Sequence, residues 1–172
     1  SDGVVVTNAH VIAGQSDTSV QLGGRGERLD AQAIHFDVAN DLAVLRVPGV
    51  SGVRPLAMNE GARPGTGAAV LGFPENGPYD VEPARVGTTS TVLSQDAYGR
   101  GPVRRRITAL RGLVRSGNSG GPAVDAQGRV VTTIFAAARE SGSGSGFGVP
   151  DSIVRQALSR ARGPVSTGPC SR

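Results

Sequence analysis

The sequence predicts an all-β protein of many short strands. Glycine supplies 26 and proline 11 of its 172 residues, the stock of turn formers that short strands require. Only 3 per cent of residues are aromatic, and the apolar runs are short and evenly bounded by turn residues. No alternation of strand and helix patterns suggests βαβ units, so a sandwich or barrel is expected. At this length the chain forms one domain or a compact pair of lobes, each with its own core.

In chain order, the valine run within Gly3 to Asn8 reads as a strand, and Ala9 to Ala13 as one helical turn at most. Ser19 to Leu22, Asp30 to Asp37 and Ala43 to Val47 follow as strands. Ala68 to Gly72 is a strand that ends in the turn Gly72-Phe73-Pro74. Ala84 to Gln95, Arg105 to Leu110, Pro122 to Val124, Arg129 to Phe135 and Gly146 to Pro150 complete the strand set. Pro150-Asp151-Ser152 then supplies a helix start, and Ile153, Val154, Ala157 and Leu158 recur at helical spacing, which predicts a helix over Ser152 to Ala161. Arg162 to Arg172 is too polar and too rich in glycine and proline to fold alone.

Composition excludes several classes of function. The formal charge is +4 and all 18 basic residues are arginine, yet the run Arg104-Arg105-Arg106 has no interleaved aromatics and no recognition helix around it. Nucleic-acid binding is therefore not expected, and the run reads as a solvated surface or an exposed processing site. One cysteine and two distant histidines give no metal-ligand spacing, and no glycine-rich phosphate loop opens a helix, so no metal or other cofactor is expected. No transmembrane stretch or signal peptide is visible in these residues. Cys170 is an odd cysteine, read either as a free thiol or, as expected for an exported domain, as one half of a disulfide with a partner upstream of Ser1.

The motif with the most chemistry is Arg-Ser-Gly-Asn-Ser-Gly-Gly-Pro at residues 115 to 122, which sets Ser119 between glycines as a hydrolase nucleophile is set. A serine needs a base, and His10 stands in Thr-Asn-Ala-His-Val after the first apolar run. The base needs an orienting carboxylate, and Asp41 directly precedes Leu42-Ala43-Val44-Leu45. Asp37 competes with Asp41 but is expected to face water, and His35 lies mid-strand and reads as structural or exposed.

These contexts, in the order His, Asp, Ser, together with the Gly-Phe-Pro turn and Gly-Phe-Gly-Val-Pro at residues 146 to 150, resemble the chymotrypsin-like serine proteases and their HtrA-like branch. The resemblance implies two six-stranded antiparallel β-barrels with the active site in the cleft between them. Residues 1–75 would build the first lobe, 76–162 the second with its C-terminal helix, and 163–172 a tail. The family places about two further strands before its His motif, whereas nine residues precede His10, so a fragment with an incomplete first barrel is expected. Catalytic roles fall to His10, Asp41 and Ser119, and the N–H groups of Gly117 and Ser119 would form the oxyanion hole. Leu113 and Val114 would form the base of the S1 pocket, with Ile134, Phe135, Ala136 and Gly146 as its walls. No carboxylate occurs among them, which favours a small or medium apolar P1 residue. Arg111 stands near a position where the branch often has an aspartate. The lack of a PDZ domain, the arginine-only basic set and Cys170 are most similar to actinobacterial membrane-anchored proteases. That likeness implies a periplasmic enzyme of envelope or acid stress, anchored upstream, monomeric, and acting on protein or peptide substrates. The rival reading is a silent or autocleaved form that only binds peptides.

Overall fold

The computed structural model describes residues 3–137 and 144–170; Ser1 and the last two residues of the expected tail lie outside them. Among the described residues eleven strands and two α-helices follow one another as β1 (Val4–Thr7), α1 (Ala9–Ile12), β2 (Ser19–Gln21), β3 (Arg28–Asp30), β4 (Gln32–Asp37), β5 (Leu42–Arg46), β6 (Gly67–Gly72), β7 (Asp80–Ser94), β8 (Val103–Gly112), β9 (Pro122–Val124), β10 (Val130–Ala137), β11 (Ser145–Val149) and α2 (Asp151–Arg160). The single run expected over residues 30 to 37 is two strands, because the Ala31 N–H turns away to Thr18 O (3.0 Å) and the chain changes partner there.

Strands β6 to β11 close into a six-stranded antiparallel barrel in the order β10-β11-β8-β7-β6-β9. The first lobe has a different construction among the described residues: a three-stranded sheet ordered β1-β5-β4 and a β2–β3 hairpin. Since β6 pairs with β7 and β9, it belongs to the second lobe, and the lobe boundary falls before it rather than near residue 75.

Period-2 alternation sorts the side chains into three cores. Val70, Val86, Leu110, Val114, Ala123, Val131 and Ile134 fill the barrel. Ile12, Ala33, Ala43, Leu45, Val47 and Val50 pack inside the first lobe. The third core joins the lobes, with Ile34, Leu42 and Val44 from the first meeting Phe135 and Val149 from the second and Val154 and Ala157 of α2. Strand β5 explains this: with its four apolar residues all buried, it feeds one core from each face.

The polar tail does not fold alone but docks on the first lobe and on the β7–β8 turn. Val165 N donates to Ala33 O (3.0 Å), Gly14 N donates to Thr167 O (3.2 Å), and Tyr98 Oη donates to the same carbonyl (3.0 Å). Cys170 is a free, exposed thiol whose backbone lies against Gly14, where any Cβ would collide with it.

Asp151 opens α2, a favourable place for a negative charge, yet it is buried to 4% exposure with no side-chain hydrogen-bond partner for either carboxylate oxygen. Burial first, and then the nearby Glu60, push its carboxyl up to about 6 against the opposing pull of the Asn59 backbone and Arg155. The folded state therefore holds this proton at pH values where the unfolded chain has released it. The carboxyl's stabilisation is complete below the unfolded value of 3.8 and is lost as pH rises through about 6. A shift of that size corresponds to roughly 3 kcal/mol. Asp151→Asn should leave stability nearly unchanged at pH 4 and raise it by about 1–2 kcal/mol at pH 7.5, a divergence that urea unfolding at the two pH values would show.

Candidate active site

His10 sits on the single turn α1, entered from β1 through Asn8, and Asp41 sits in the turn between β4 and β5. Antiparallel pairing of β1 with β5, Thr7 opposite Ala43, brings the two together. The Asp41 carboxylate accepts from His10 N at 2.9 Å through Oδ1 and meets His10 Nδ1 at 2.7 Å through Oδ2. Both oxygens are thus spent on one residue, which fixes the ring against its own backbone. An ionised carboxylate can only accept, so this contact suits the ring tautomer protonated at Nδ1. The Asp41 side chain is 6% exposed and that of His10 33%, so the carboxylate is buried while the imidazole remains partly accessible.

Asp41 holds a left-handed backbone, φ 54°, a region that aspartate and asparagine visit more readily than other residues with a Cβ. Its carbonyl accepts from the fully buried Asn8 Nδ2 at 2.8 Å. Asn8, inside the Thr-Asn-Ala-His motif, is therefore a support for Asp41 that motif reading passes over. Asp37 has a different task, since its oxygens accept from Asn40 N (3.0 Å) and Nδ2 (2.7 Å) and close the β4–β5 turn. His35 lies half-buried in β4.

Ser119 occupies the loop between β8 and β9, partly exposed. Its neighbours attach this loop to both lobes. Gly120 N donates to Ile134 O and Ile134 N to Gly121 O, both 2.9 Å, which ties the turn to β10. Gly120 also packs on Thr7, at the end of β1 and three residues before His10, so closely that a Cβ would strike the Thr7 hydroxyl. The structure thus brings the Ser119 turn against the segment that carries His10.

Gly117 adopts φ 90°, and a Cβ on it would stand 2.7 Å from Phe73 O and 2.8 Å from Glu75 N. Among the described residues neither the Gly117 N–H nor the Ser119 N–H donates to a protein acceptor. The neighbouring donors are occupied: Asn118 N donates to Arg115 O (3.1 Å) and Gly121 N to Asn118 O (3.0 Å). Asn118 is buried and its Oδ1 accepts from Arg115 N at 2.8 Å. The Arg115 guanidinium reaches across to Asp80 and to Glu82 Oε1 (2.8 Å) on β7. The Phe73 turn and this carboxylate pair leave no local signature, because both act on the loop from more than 30 residues away.

Of the residues expected around an S1 pocket, Val114, Ala136 and Gly146 converge: a Cβ on Gly146 would collide with the Val114 side chain and lie 3.1 Å from Ala136 O. Leu113 is exposed beside them at 45%. Ile134 and Phe135 contribute backbone to this region and not side chain, since Ile134 lies in the barrel core and Phe135 in the inter-lobe core. The β9–β10 ladder ends at Thr133 opposite Pro122, and Phe135 forms a bulge against β11, so among the described residues β10 beyond Ile134 has no strand partner on the Ser119 side. Among the described residues no cluster of His, Cys, Asp and Glu is suited to a metal ion.

A family model described as a trypsin-like peptidase domain matches residues 1–132. The serine protease Rv3671c of Mycobacterium tuberculosis strain H37Rv is 34% identical over 169 residues, covering 96% of this chain and 42% of that protein. The chain therefore spans less than half the length of this curated relative. The crystal structure of the active form of the Rv3671c protease from M. tuberculosis superposes with a TM-score of 0.90 at 34% identity, over 100% of this chain and 76% of that one. The HtrA-type protease AlgW in complex with a decapeptide superposes with a TM-score of 0.79 at 26% identity, over 92% of this chain and 48% of that one.

Proposed function

The chain belongs to the trypsin-like peptidase family, and from that premise we propose that it is a serine endopeptidase domain whose Ser119 attacks the scissile carbonyl. The observation that carries this reading is the double hydrogen bond from His10 N and Nδ1 to the single carboxylate of Asp41. A histidine fixed in that tautomer, on a segment packed against the serine loop, takes the Ser119 proton as general base and returns it to the leaving amine. Asp41 remains ionised and stabilises the imidazolium formed between the two transfers. The two undonated N–H groups of Gly117 and Ser119 are suited to the oxyanion of the tetrahedral intermediate.

Substrate would lie as an added strand along the open edge of β10 beyond Ile134, its P1 side chain between Leu113, Val114, Ala136 and Gly146. The absence of a carboxylate among these four favours a small or medium apolar P1 residue. Residues up to the start of β6 then form the first lobe of the protease domain, β6 through α2 the second, and the docked tail closes over the first. The resemblance read from the sequence and the single cysteine support a periplasmic placement behind an anchor outside these residues. The same reading includes a role in envelope or acid stress, action on protein or peptide substrates, a disulfide from Cys170 to a partner upstream of Ser1, and a monomer.

Fluorophosphonate labelling of the intact protein, followed by mass measurement, tests the central assignment. One adduct is expected on the parent and none on Ser119→Ala, and peptide hydrolysis should fall by about 10⁴-fold or more in that variant. A labelled Ser119→Ala protein would overturn Ser119 as the nucleophile. A folded parent that takes no label would favour the silent, peptide-binding form.

A further inference from the structure

The two segments that carry His10 and Asp41 are each weak on their own. His10 rides on α1, a helix of four residues, and a single turn does not keep its shape without outside support. Asp41 lies in a turn with a left-handed backbone, φ 54°, a conformation that persists where the surroundings over-determine it. The β1–β5 pairing fixes the chain just before α1 and just after that turn, through Thr7 and Ala43. The other end of each segment is held from elsewhere.

At the start of the Asp41 turn, Val38 O accepts from Ala97 N at 2.9 Å, so the β7–β8 turn of the second lobe reaches over and fastens it. Just after α1, Gly14 N donates to Thr167 O at 3.2 Å and Gln15 O accepts from Thr167 Oγ1 at 2.9 Å, so the tail fastens the other segment. These two attachments meet. Tyr98, next to Ala97, donates its hydroxyl to Thr167 O at 3.0 Å, and that carbonyl thereby uses both of its lone pairs. The β7–β8 turn presents Tyr98 in a preset place, because Asp96 N donates to Arg100 O (2.7 Å) and Asp96 Oδ1 accepts from Tyr98 N (2.8 Å) and Arg100 N (2.9 Å). The Arg100 guanidinium lies 5.2 Å from the centre of the Tyr98 ring. On the tail side Gly168 adopts φ 68°, and any Cβ there would strike the Tyr98 hydroxyl.

We propose that Tyr98 is a positioning residue for the catalytic pair: its bond to Thr167 O joins the β7–β8 turn to the tail, and the joined elements clamp the far ends of the segments that carry His10 and Asp41. This rests on the reading of His10 as the general base. Proton transfer requires the base to stay within a fraction of an ångström of its working place, and a four-residue helix tied at one end alone cannot supply that. Without the Tyr98 bond the tail keeps only single backbone and hydroxyl bonds near the surface, which open readily, and the loosening falls first on α1. The open edge of β10 takes no part in the junction, so substrate binding is left as it is.

The test is amide hydrogen exchange by NMR together with kcat and KM for peptide hydrolysis, in the parent, Tyr98→Phe and Gly168→Ala. Tyr98→Phe keeps the ring beside Arg100 and removes only the hydroxyl, whereas Gly168→Ala keeps the hydroxyl and drives it off the carbonyl. In both, the amides of Gly14 and His10 should exchange about tenfold faster while those of β8 in the barrel keep their protection. With them kcat should fall about 3- to 10-fold, and KM should stay within about twofold of the parent. If Gly168→Ala fails to fold, Thr167→Val, which deletes the bond to Gln15 O, takes its place with the same expected direction. Parent-like exchange at His10, or a parent-like kcat, in folded Tyr98→Phe would overturn the proposal and leave the junction a tie for the tail alone. Faster exchange at Gly14 and His10 in a chain whose parent takes no fluorophosphonate label would support the clamp and count against the protease reading instead.

Discussion

Asp41→Asn should lower kcat for peptide hydrolysis by about 10³- to 10⁴-fold while the melting temperature stays close to that of the parent. The two halves of this expectation have separate causes. Asparagine accepts the left-handed backbone that Asp41 adopts at φ 54°, and its carbonyl can retain the bond from Asn8 Nδ2, so the β4–β5 turn survives. The amide, however, replaces two acceptor oxygens with one acceptor and one donor. His10 N and Nδ1 now compete for a single oxygen, and where the amide nitrogen faces the ring, Nδ1 must accept and Nε2 carries the proton. That tautomer cannot take a proton from Ser119. Asp41→Ala would confuse the experiment, since alanine at this φ strains the backbone. Asp37→Asn is the control: it loosens the turn at Asn40 and should cost less than tenfold in kcat. A strong effect at Asp37 and a weak one at Asp41 would reverse the assignment.

How much of this site is legible in the chain depends on whether a residue acts locally. Asp41 stands out because a carboxylate directly ahead of four consecutive buried apolar residues has few structural uses. Ser119 and Gly117 stand out because a run of glycines marks a backbone that must take unusual angles. Asn8 was within a recognised motif, and its service to Asp41 follows only from the β1–β5 pairing. Arg115 with Asp80 and Glu82 was out of reach, since an ion pair between distant strands has no sequence period. These groups are about a third exposed, so the pairs are worth less than about 1 kcal/mol each. Their effect is to orient the loop rather than to hold the fold together.

Arg105 is instructive because composition pointed the other way. Three arginines in a row read as surface, and two of them are. The third is turned inward because β8 must present one face to the barrel, through Thr108 and Leu110, and the other to the second-lobe side of the shared core, through Ile107. The strand register decides this, and the register comes from β7 and β11, not from β8 itself. The same logic governs the lobes. Strand positions were visible from apolar runs, whereas the membership of β6 in the second barrel depends on its partners β7 and β9. Asp125 shows a further limit. Burial would raise its carboxyl, but N–H groups of Arg129, Asn59 and Gln127 converge on it and hold it at about 2, a network that joins the β9–β10 turn to Asn59, 66 residues earlier in the chain.

The proposed oxyanion site gives the second large expectation. Gly117→Ala should reduce kcat by about 10²- to 10³-fold with KM changed far less. At φ 90° the new methyl group is disfavoured by the backbone itself, and it would also meet Phe73 O at 2.7 Å and Glu75 N at 2.8 Å. The carbonyl of Phe73 belongs to the turn that Glu75 N pins to Ser116 O at 2.8 Å, so the obstacle cannot move without breaking a bond made to the same loop. The cheaper relaxation is rotation of the peptide at Gly117, which aims its N–H away from the point it shares with that of Ser119. Ground-state binding along the β10 edge does not use this peptide, so the loss falls on the transition state. His10 and Asp41 are untouched, and the acid limb of the pH profile should remain where the parent has it. A variant that loses binding and turnover alike would indicate that the whole loop had collapsed. Full activity in Gly117→Ala would mean that the two N–H groups do not form the oxyanion site.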